Sequence, residues 1–217
     1  VTLAPELPGA LAAIPALTAK GIVVSAGHSD ATFAEAEAGH GVGIRWGTHL
    51  FNAMHPLHHR EPGLAAHLLL AALPCGIIVD GVHVHPAMVR LALRTKGVDG
   101  LTLVSDAMAA MGMPPGTYPL ADRTVFVDTT SARLADGTLA GSILTMDQAV
   151  RNMQSFTGCS LAEALQMAST VPARLLGLAQ KGVLAPGNDA DIVVLDHAQV
   201  VTHTFVAGRL VFERAGA

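Results

Sequence analysis

Short apolar runs alternate along the chain with stretches whose apolar residues recur at helical spacing. Helices are expected from Ser29 or Asp30 to about His40, over 64–72, and over 86–96, where Pro86 suits a first helical turn. Apolar runs separated by helices are typical of repeated βα units, whose strands pair in parallel. The runs predicted to form this sheet are residues 1–5, 22–26, 44–48, 76–79 and 101–105.

The pattern changes in the second half of the chain. A Gly- and Pro-rich loop is expected through Pro119, and the composition shifts again after Gly177. We therefore place a boundary near Lys181, between a domain of βα units over residues 1–180 and a small β segment over 181–217. Elements expected here are strand-like runs around 124–127 and 132–134, helices over 145–156, 161–168 and 172–178, and tail strands over 190–195 and 200–212, the latter turning at Ala207-Gly208.

Composition narrows the class of protein. Charged residues make up 14% and apolar residues 51% of the 217, which excludes intrinsic disorder. A formal charge of −4 and the absence of a basic cluster argue against a nucleic-acid partner. The longest apolar stretch, 63–79, contains His67 and Pro74 and is too short to span a membrane. No signal peptide opens the chain, and its two cysteines favour a reducing, cytoplasmic location.

Residues able to bind a metal or move a proton follow each predicted parallel strand. Because the carboxyl ends of parallel barrel strands meet on one face, these side chains are expected to lie close together. A Glu and two His residues form a Zn-type site with an open position, and a free carboxylate nearby can act as general base. The residues concerned are Glu6, His28, His49, Asp80 with His83, and Asp106.

Each of these residues also has a simpler interpretation. A His after a strand is commonly a satisfied loop residue, Glu6 is compatible with a surface carboxylate, and Asp106 with a helix N-cap. The spacing alone therefore leaves two interpretations open: a metal-dependent barrel hydrolase, or residues with these structural roles only. His40 and His67 are expected on helix surfaces, and Cys75 in the core.

A set of ordered motifs adds information that spacing does not carry. The motifs are VTLAPE (1–6), SAGHSDA (25–31), GTHLFNAM (47–54), REPG (60–63), DGVHV (80–84), LVSDAM (103–108) and GTLAGS (137–142). Together they closely resemble the N-acetylglucosamine-6-phosphate deacetylases of the amidohydrolase superfamily. The tail, GVLAPGNDADIVVLD (182–196) with VAGRLV (206–211), is similar to the closing strands of that superfamily's β-sandwich.

The resemblance implies a fold, a reaction and a metal site. The fold is a TIM-like (β/α) barrel with a small β-sandwich. The reaction is metal-dependent hydrolysis of the acetamide of N-acetyl-D-glucosamine 6-phosphate to glucosamine 6-phosphate and acetate, in amino-sugar catabolism. Glu6, His28 and His49 match the ligands of one divalent metal, usually zinc, with iron or another divalent ion as alternatives. Asp106 matches the general base that later protonates the departing amine.

The resemblance also implies how substrate is held. Arg60 and His83 match the groups that bind the 6-phosphate, and the family's arginine reaches in from the neighbouring subunit of a homodimer. An Arg fork and a His donor suit a phosphate on physical grounds. The other matched substrate positions are Asn52, Ala53, Asp80, Gly81, Val82, Leu139, Ala140 and Gly141, with Ala140 standing where Ser is common.

Part of the family's pattern has no counterpart in this sequence. The five predicted strands resemble the last five of the barrel, so we expect a partial barrel from the C-terminal part of a longer protein. Two alternatives remain open: another amidohydrolase, dihydroorotase-like or an amino-acid deacetylase, or a truncated chain without catalysis. The first kind commonly uses two metals bridged by a modified Lys, whereas Lys20, Lys96 and Lys181 lie away from strand ends.

Overall fold

A five-stranded parallel sheet forms the centre of the fold. The structure, a computed structural model, describes residues 1–216. The strands pair side by side in chain order, so each crossover returns to the next position in the sheet. This confirms the predicted α/β class. The strands are β1 (Thr2–Leu3), β2 (Val24–Ala26), β3 (Ile44–Gly47), β4 (Cys75–Ile77) and β5 (Leu101–Leu103).

Helices follow the first four strands. They are α1 (Ala10–Thr18), α2 (Phe33–Val42), α3 (Gly63–Leu70) and α4 (Pro86–Lys96), with a 3₁₀ turn over Val98–Gly100. Sequence reasoning assigned no helix to α1, which forms from Ala- and Leu-rich sequence despite Pro15. Helix α2 begins with a capping box between Thr32 and Glu35, which satisfies two backbone N–H groups at its first turn.

Three antiparallel strands follow the parallel sheet. They are β6 (Gly116–Leu120), β7 (Arg123–Val127) and β8 (Ala132–Arg133). The loop predicted through Pro119 is therefore wrong at its end, because β6 forms there. Strand β6 lies at the edge of its sheet and is mostly exposed, so its sequence lacks the apolar alternation that predicts a strand. Pro119 is tolerated there because an edge strand has backbone positions that need no N–H donor.

The remaining helices pack beside α4 and against β5, at the end of the parallel sheet. Helix α5 (Met146–Thr157) is followed by α6 (Leu161–Leu165), a π turn (Gln166–Thr170) and α7 (Val171–Leu175). The prediction of two separate helices over 161–178 is wrong, because the wide π turn connects them. Pro172 lies in the first turn of α7, where its missing N–H costs least.

The tail forms a second antiparallel sheet, as predicted. Its strands are β9 (Ile192–Leu195), β10 (Val201–Val206) and β11 (Arg209–Glu213). Ala207 and Gly208 connect β10 and β11 with positive φ angles of 49° and 76°, as a two-residue type I′ hairpin requires. The boundary between 1–180 and 181–217 stays a prediction, and Ala217 lies outside the described residues.

The main hydrophobic core lies between the parallel sheet and its helices. Fully buried members include Ile44 of β3, Leu68 of α3 and Met153 of α5. Cys75 lies in this core as predicted, and its burial raises the pKa of its thiol to about 12. Within residues 1–216, no helix combines the length and apolar character needed to cross a membrane.

His67 departs from its predicted position on a helix surface. It is buried in α3, where its ring contacts those of Phe33 and His40, each at a centroid distance of 5.3 Å. Burial lowers the pKa of His67, so the side chain acts as a neutral core residue. The helical pattern failed here because almost every residue of α3 is buried, which leaves no polar face to recognise.

The close approach of α3 to β3 yields a stability prediction. A Cβ at Gly47 would lie 2.8 Å from Leu68 Cδ1 and 3.0 Å from Cys75 Sγ, so Gly47→Ala should destabilise the fold by about 1–3 kcal/mol. Gly41→Ala is the matched control, because a Cβ at that helical position meets no atom within 4 Å. The control should be neutral or stabilising by up to about 1 kcal/mol. Urea unfolding measures both, and equal losses would contradict the packing argument.

Candidate metal and substrate site

Left-handed backbone marks the ends of three parallel strands. His28, His49 and Asp106 have φ angles of 50°, 27° and 48°, although none is a glycine. They lie two or three residues beyond the ends of β2, β3 and β5. Such conformations are costly for residues with a Cβ and cluster at functional sites. The chain turns sharply at these points, which directs three chemically active side chains to the carboxyl edge of the sheet.

His28 and His49 contact each other directly. Their Nε2 atoms are 2.8 Å apart and their rings meet edge to face at a centroid distance of 4.6 Å. His49 is buried and His28 is exposed. Burial lowers the pKa of His49 and the charge of His28 lowers it further, while the Asp106 carboxylate opposes both. The His49 imidazole is therefore held neutral, the form in which histidine binds metals.

Glu6 lies at the adjacent strand end, where Ser29 holds its side chain. Ser29 Oγ donates to Glu6 Oε2 at 2.7 Å, and the Asp30 backbone N–H donates to Glu6 Oε1 at 3.0 Å. Ser29 directly follows His28 and is itself buried. The structure therefore brings Glu6 to the segment that carries His28, with both carboxylate oxygens already bonded to protein donors.

The donor set allows a test of whether a divalent metal fits. The two Nε2 atoms lie within hydrogen-bonding distance of each other, and the buried Nδ1 of His49 has no hydrogen-bond partner in the described chain. No three His, Cys, Asp or Glu side chains converge at ligand spacing within residues 1–216. The residues present are nevertheless of the type that binds zinc, because they place two imidazoles at one strand edge with a carboxylate beside them. Glu6 would join them by exchanging its bond to Ser29 for the metal.

The predicted base and the predicted substrate segment 139–141 are neighbours. The segment continues into Ser142, whose N–H donates to Asp106 O at 2.8 Å. Gly141 has a φ of 71°, and a Cβ there would lie 3.0 Å from Asp106 O, so only glycine fits this approach. Ala140 is buried and its N–H donates to Ala132 O of β8, while Leu139 is half-buried.

The turn after His49 carries the predicted sugar-binding pair. Asn52 Nδ2 donates to the carbonyls of His49 and Leu50, both at 3.3 Å, so the side-chain amide braces the turn. Ala53 is exposed with a φ of 47°, and its carbonyl accepts from the Ser29 N–H at 3.0 Å. This bond connects the turns that follow β2 and β3, which carry the two histidines.

Asp80 and His83 form a closed pair beyond β4. Their side chains are 9% and 6% exposed, and His83 Nδ1 lies 2.6 Å from Asp80 Oδ2. Asp80 Oδ1 accepts from the N–H groups of Val82 and His83. Burial acts to raise the pKa of Asp80, but these hydrogen bonds outweigh it and hold the pKa below its usual value. Asp80 thus orients the His83 ring, and Gly81 permits the turn with a φ of 78°.

Arg60 lines a different cavity from His83, although His55 lines both. It is exposed in the loop before α3, with Nη1 2.9 Å from His59 Nε2. It lines a cavity of about 390 Å³ at the start of α2, whereas His83 lines one of about 240 Å³ with Phe51 and Met88. Among residues 1–216, no carboxylate forms an ion pair with Arg60. Within the described residues, this guanidinium therefore contacts His59 and is otherwise exposed to solvent.

Sequence reasoning missed two serines that organise the site. Ser29 holds Glu6, and Ser142 brackets the backbone around Asp106. Ser29 directly follows His28 in the motif SAGHSDA, and Ser142 directly follows Gly141 in GTLAGS. The motifs therefore included both serines, but the sequence did not indicate their roles. Their partners are distant along the chain, which is why only the folded structure reveals them.

Comparison with known proteins identifies the relatives of this chain. It is 47% identical over 211 residues to the N-acetylglucosamine-6-phosphate deacetylase of Lysinibacillus sphaericus, covering 97% of this chain and 54% of that protein. The human enzyme of the same name is 46% identical over 225 residues, with 55% of its length covered. The chain thus spans about half the length of the curated relatives it matches.

A solved structure agrees with this relationship. A mutant N-acetyl-D-glucosamine-6-phosphate deacetylase from Mycobacterium smegmatis, in complex with N-acetyl-D-glucosamine-6-phosphate, superimposes with a TM-score of 0.93 at 44% identity. The match covers 97% of this chain and 57% of that one. The pattern that defines the Amidohydrolase family matches residues 10–211, and so the chain belongs to the amidohydrolase family.

Proposed function

We propose that the protein carrying this chain hydrolyses the acetamide of N-acetyl-D-glucosamine 6-phosphate, releasing glucosamine 6-phosphate and acetate. The observation that carries the proposal is the meeting of His28, His49 and Asp106 at one sheet edge. Two imidazoles and a carboxylate are groups that metal-assisted amide hydrolysis can use. The substrate is proposed from the names of the relatives, which act as deacetylases of this sugar phosphate.

His28 and His49, with Glu6, are the residues we propose to hold one divalent metal, most simply zinc. Members of the amidohydrolase superfamily typically use a divalent metal. When bound, such an ion would polarise the acetamide carbonyl and lower the pKa of a water molecule. The buried His49 would supply one nitrogen and the exposed His28 a second, while Ser29 holds Glu6 at the same edge of the sheet.

Asp106 is the proposed general base and acid. Its carboxylate takes a proton from the attacking water as oxygen bonds to the acetamide carbon. It returns that proton to the nitrogen as the C–N bond breaks, because an amine anion is a very poor leaving group. The two products are then acetate and the free amine. The exposed carboxylate near His49 suits both transfers.

The sugar phosphate is proposed to bind between two subunits. The DGVHV turn, residues 80–84, presents His83 oriented by Asp80, and the backbone of residues 139–141 lines the sugar. Arg60, which is exposed and lines a different cavity from His83, would reach the phosphate of the partner subunit's substrate. An Arg fork matches phosphate oxygens two at a time. We accordingly propose a homodimer.

The cytoplasm is the proposed location. Cys75 and Cys159 are both free thiols in the fold, and one of them is fully buried. Free thiols are usual in a reducing compartment. A sugar phosphate is also a metabolite of that compartment's chemistry, so location and substrate agree.

His49→Ala tests the metal site. In the full-length protein that carries this chain, the variant should lose most of the bound divalent metal, because one of the two adjacent imidazoles is gone. Elemental analysis after dialysis measures the metal per chain. His55→Ala, in the exposed loop, is the control and should retain wild-type metal. Unchanged metal in His49→Ala would remove His49 from the ligand set.

Asp106→Asn tests the proton transfer. The amide keeps the shape of the carboxylate but cannot take a proton, so kcat should fall by about 10²–10⁴-fold while metal stays bound. Steady-state hydrolysis of the sugar phosphate and elemental analysis measure the two properties. Asp99→Asn, which affects only exposed contacts with Arg174 and Gln166, should act as wild type. A loss within a few-fold of that control would exclude Asp106 as the base.

Arg60→Ala tests phosphate recognition. The variant should lose roughly 1.5–3 kcal/mol in kcat/KM for the phosphorylated sugar, as expected for one charged hydrogen bond. Hydrolysis of unphosphorylated N-acetylglucosamine should be unaffected, because it offers the guanidinium nothing to bind. Arg94→Ala, on the exposed side of α4, is the matched control. Equal losses on both sugars would make Arg60 structural.

A further inference from the structure

Ser142 is bonded on several sides to the segment that carries Asp106. Its hydroxyl donates to the Ser105 carbonyl and accepts from the Leu144 N–H at 3.0 Å. Its own N–H donates to Asp106 O at 2.8 Å, and its carbonyl accepts from Met108 N–H at 2.9 Å. Ser142 is 2% exposed, so water does not compete for these bonds. They enclose the backbone on both sides of Asp106.

These bonds surround a residue whose backbone conformation is unfavourable. Asp106 has a φ of 48°, a conformation that residues with a Cβ rarely adopt. Such a residue persists only when its surroundings over-determine it. The bonds from Ser142 meet the carbonyls of Ser105 and Asp106, the two peptide units that set this angle. The direction of the Asp106 side chain therefore depends on Ser142.

The support for Ser142 comes from a second hydrophobic core. Met108, Ala140, Val125, Val127 and Ala132 belong to this core, which is separate from the main one. Ala140 is also bonded to Ala132 of β8. The residues that follow Asp106 and those that precede Ser142 are thus packed on the same three-stranded sheet. That sheet gives the contact a rigid base.

We infer that Ser142 is a positioning residue for Asp106, held by the β6–β8 sheet, and that it sets the direction of the carboxylate toward His49. The inference rests on the proposed function of Asp106 as general base. Because residues 139–141 are proposed to line the sugar, one short segment joins sugar binding to the placement of the base. Ser142 itself touches no reacting atom in this assignment.

Ser142→Ala removes the two hydroxyl bonds and leaves the backbone bonds in place. In the protein as its gene encodes it, kcat should fall by roughly 10- to 100-fold, as expected when a catalytic group is displaced by about 1 Å. KM should stay within about twofold, because the sugar contacts are retained. In metal-free protein, amide hydrogen exchange at Met108 and Leu144 should accelerate by about tenfold or more, since local opening becomes easier.

Ser131→Ala is the matched control. Ser131 is equally buried beside the same sheet, and its hydroxyl contacts Asp128 and Arg133 rather than the Asp106 segment. This variant should change neither kcat nor exchange at Met108. Equal losses of kcat in both variants, or a rise in KM matching the fall in kcat, would overturn the positioning role.

Failure of the proposed function and failure of the positioning role give different experimental results. An inactive wild-type protein would overturn the proposed function, and hydrogen exchange would still decide whether Ser142 holds the segment. An active wild type with unchanged kcat in Ser142→Ala would overturn the inference alone. Unchanged exchange at Met108 would overturn it in either case.

Discussion

Hydrogen bonds between parallel strands hold β1 to β5 side by side in chain order. Parallel strands all end on the same side, so the turns that follow them share one edge of the sheet. Glu6, His28, His49 and Asp106 occupy these turns although 100 positions separate the first from the last. Everything proposed for this protein depends on that edge, and the helices contribute by burying the opposite ends in the main core.

Backbone strain and side-chain chemistry coincide at this edge. The residues with left-handed backbone directly beyond β2, β3 and β5 are the two histidines and Asp106, and each lies beside backbone bonds to another segment of the chain. The Leu50 N–H after His49 donates to Gly76 O at 2.7 Å, and Ser142 braces Asp106. Strained conformations survive only with such support. The strained turns place these side chains at the same edge of the sheet.

The polar groups of the site divide into two kinds. Glu6, Asp80 and Asn52 are satisfied by protein donors or acceptors, and they hold turns and rings in place. His49 keeps a buried nitrogen without a partner in the described chain, and Arg60 is exposed in its loop. Buried polar atoms without partners are costly and uncommon in folded proteins. The distinction separates groups already bonded within the described chain from groups whose hydrogen-bonding capacity is not used up there.

The sequence by itself determined the βα order, the tail hairpin at Ala207-Gly208 and the candidate residues at each strand end. Local periodicity and turn residues encode these features, because they depend on neighbours in the chain. Only the tertiary structure decided that β6 forms, that His67 is buried, that Asp80 orients His83, and that Ser29 and Ser142 brace the site. Burial and most bracing bonds join segments far apart in sequence, so they exist only once the sheet and both cores have assembled.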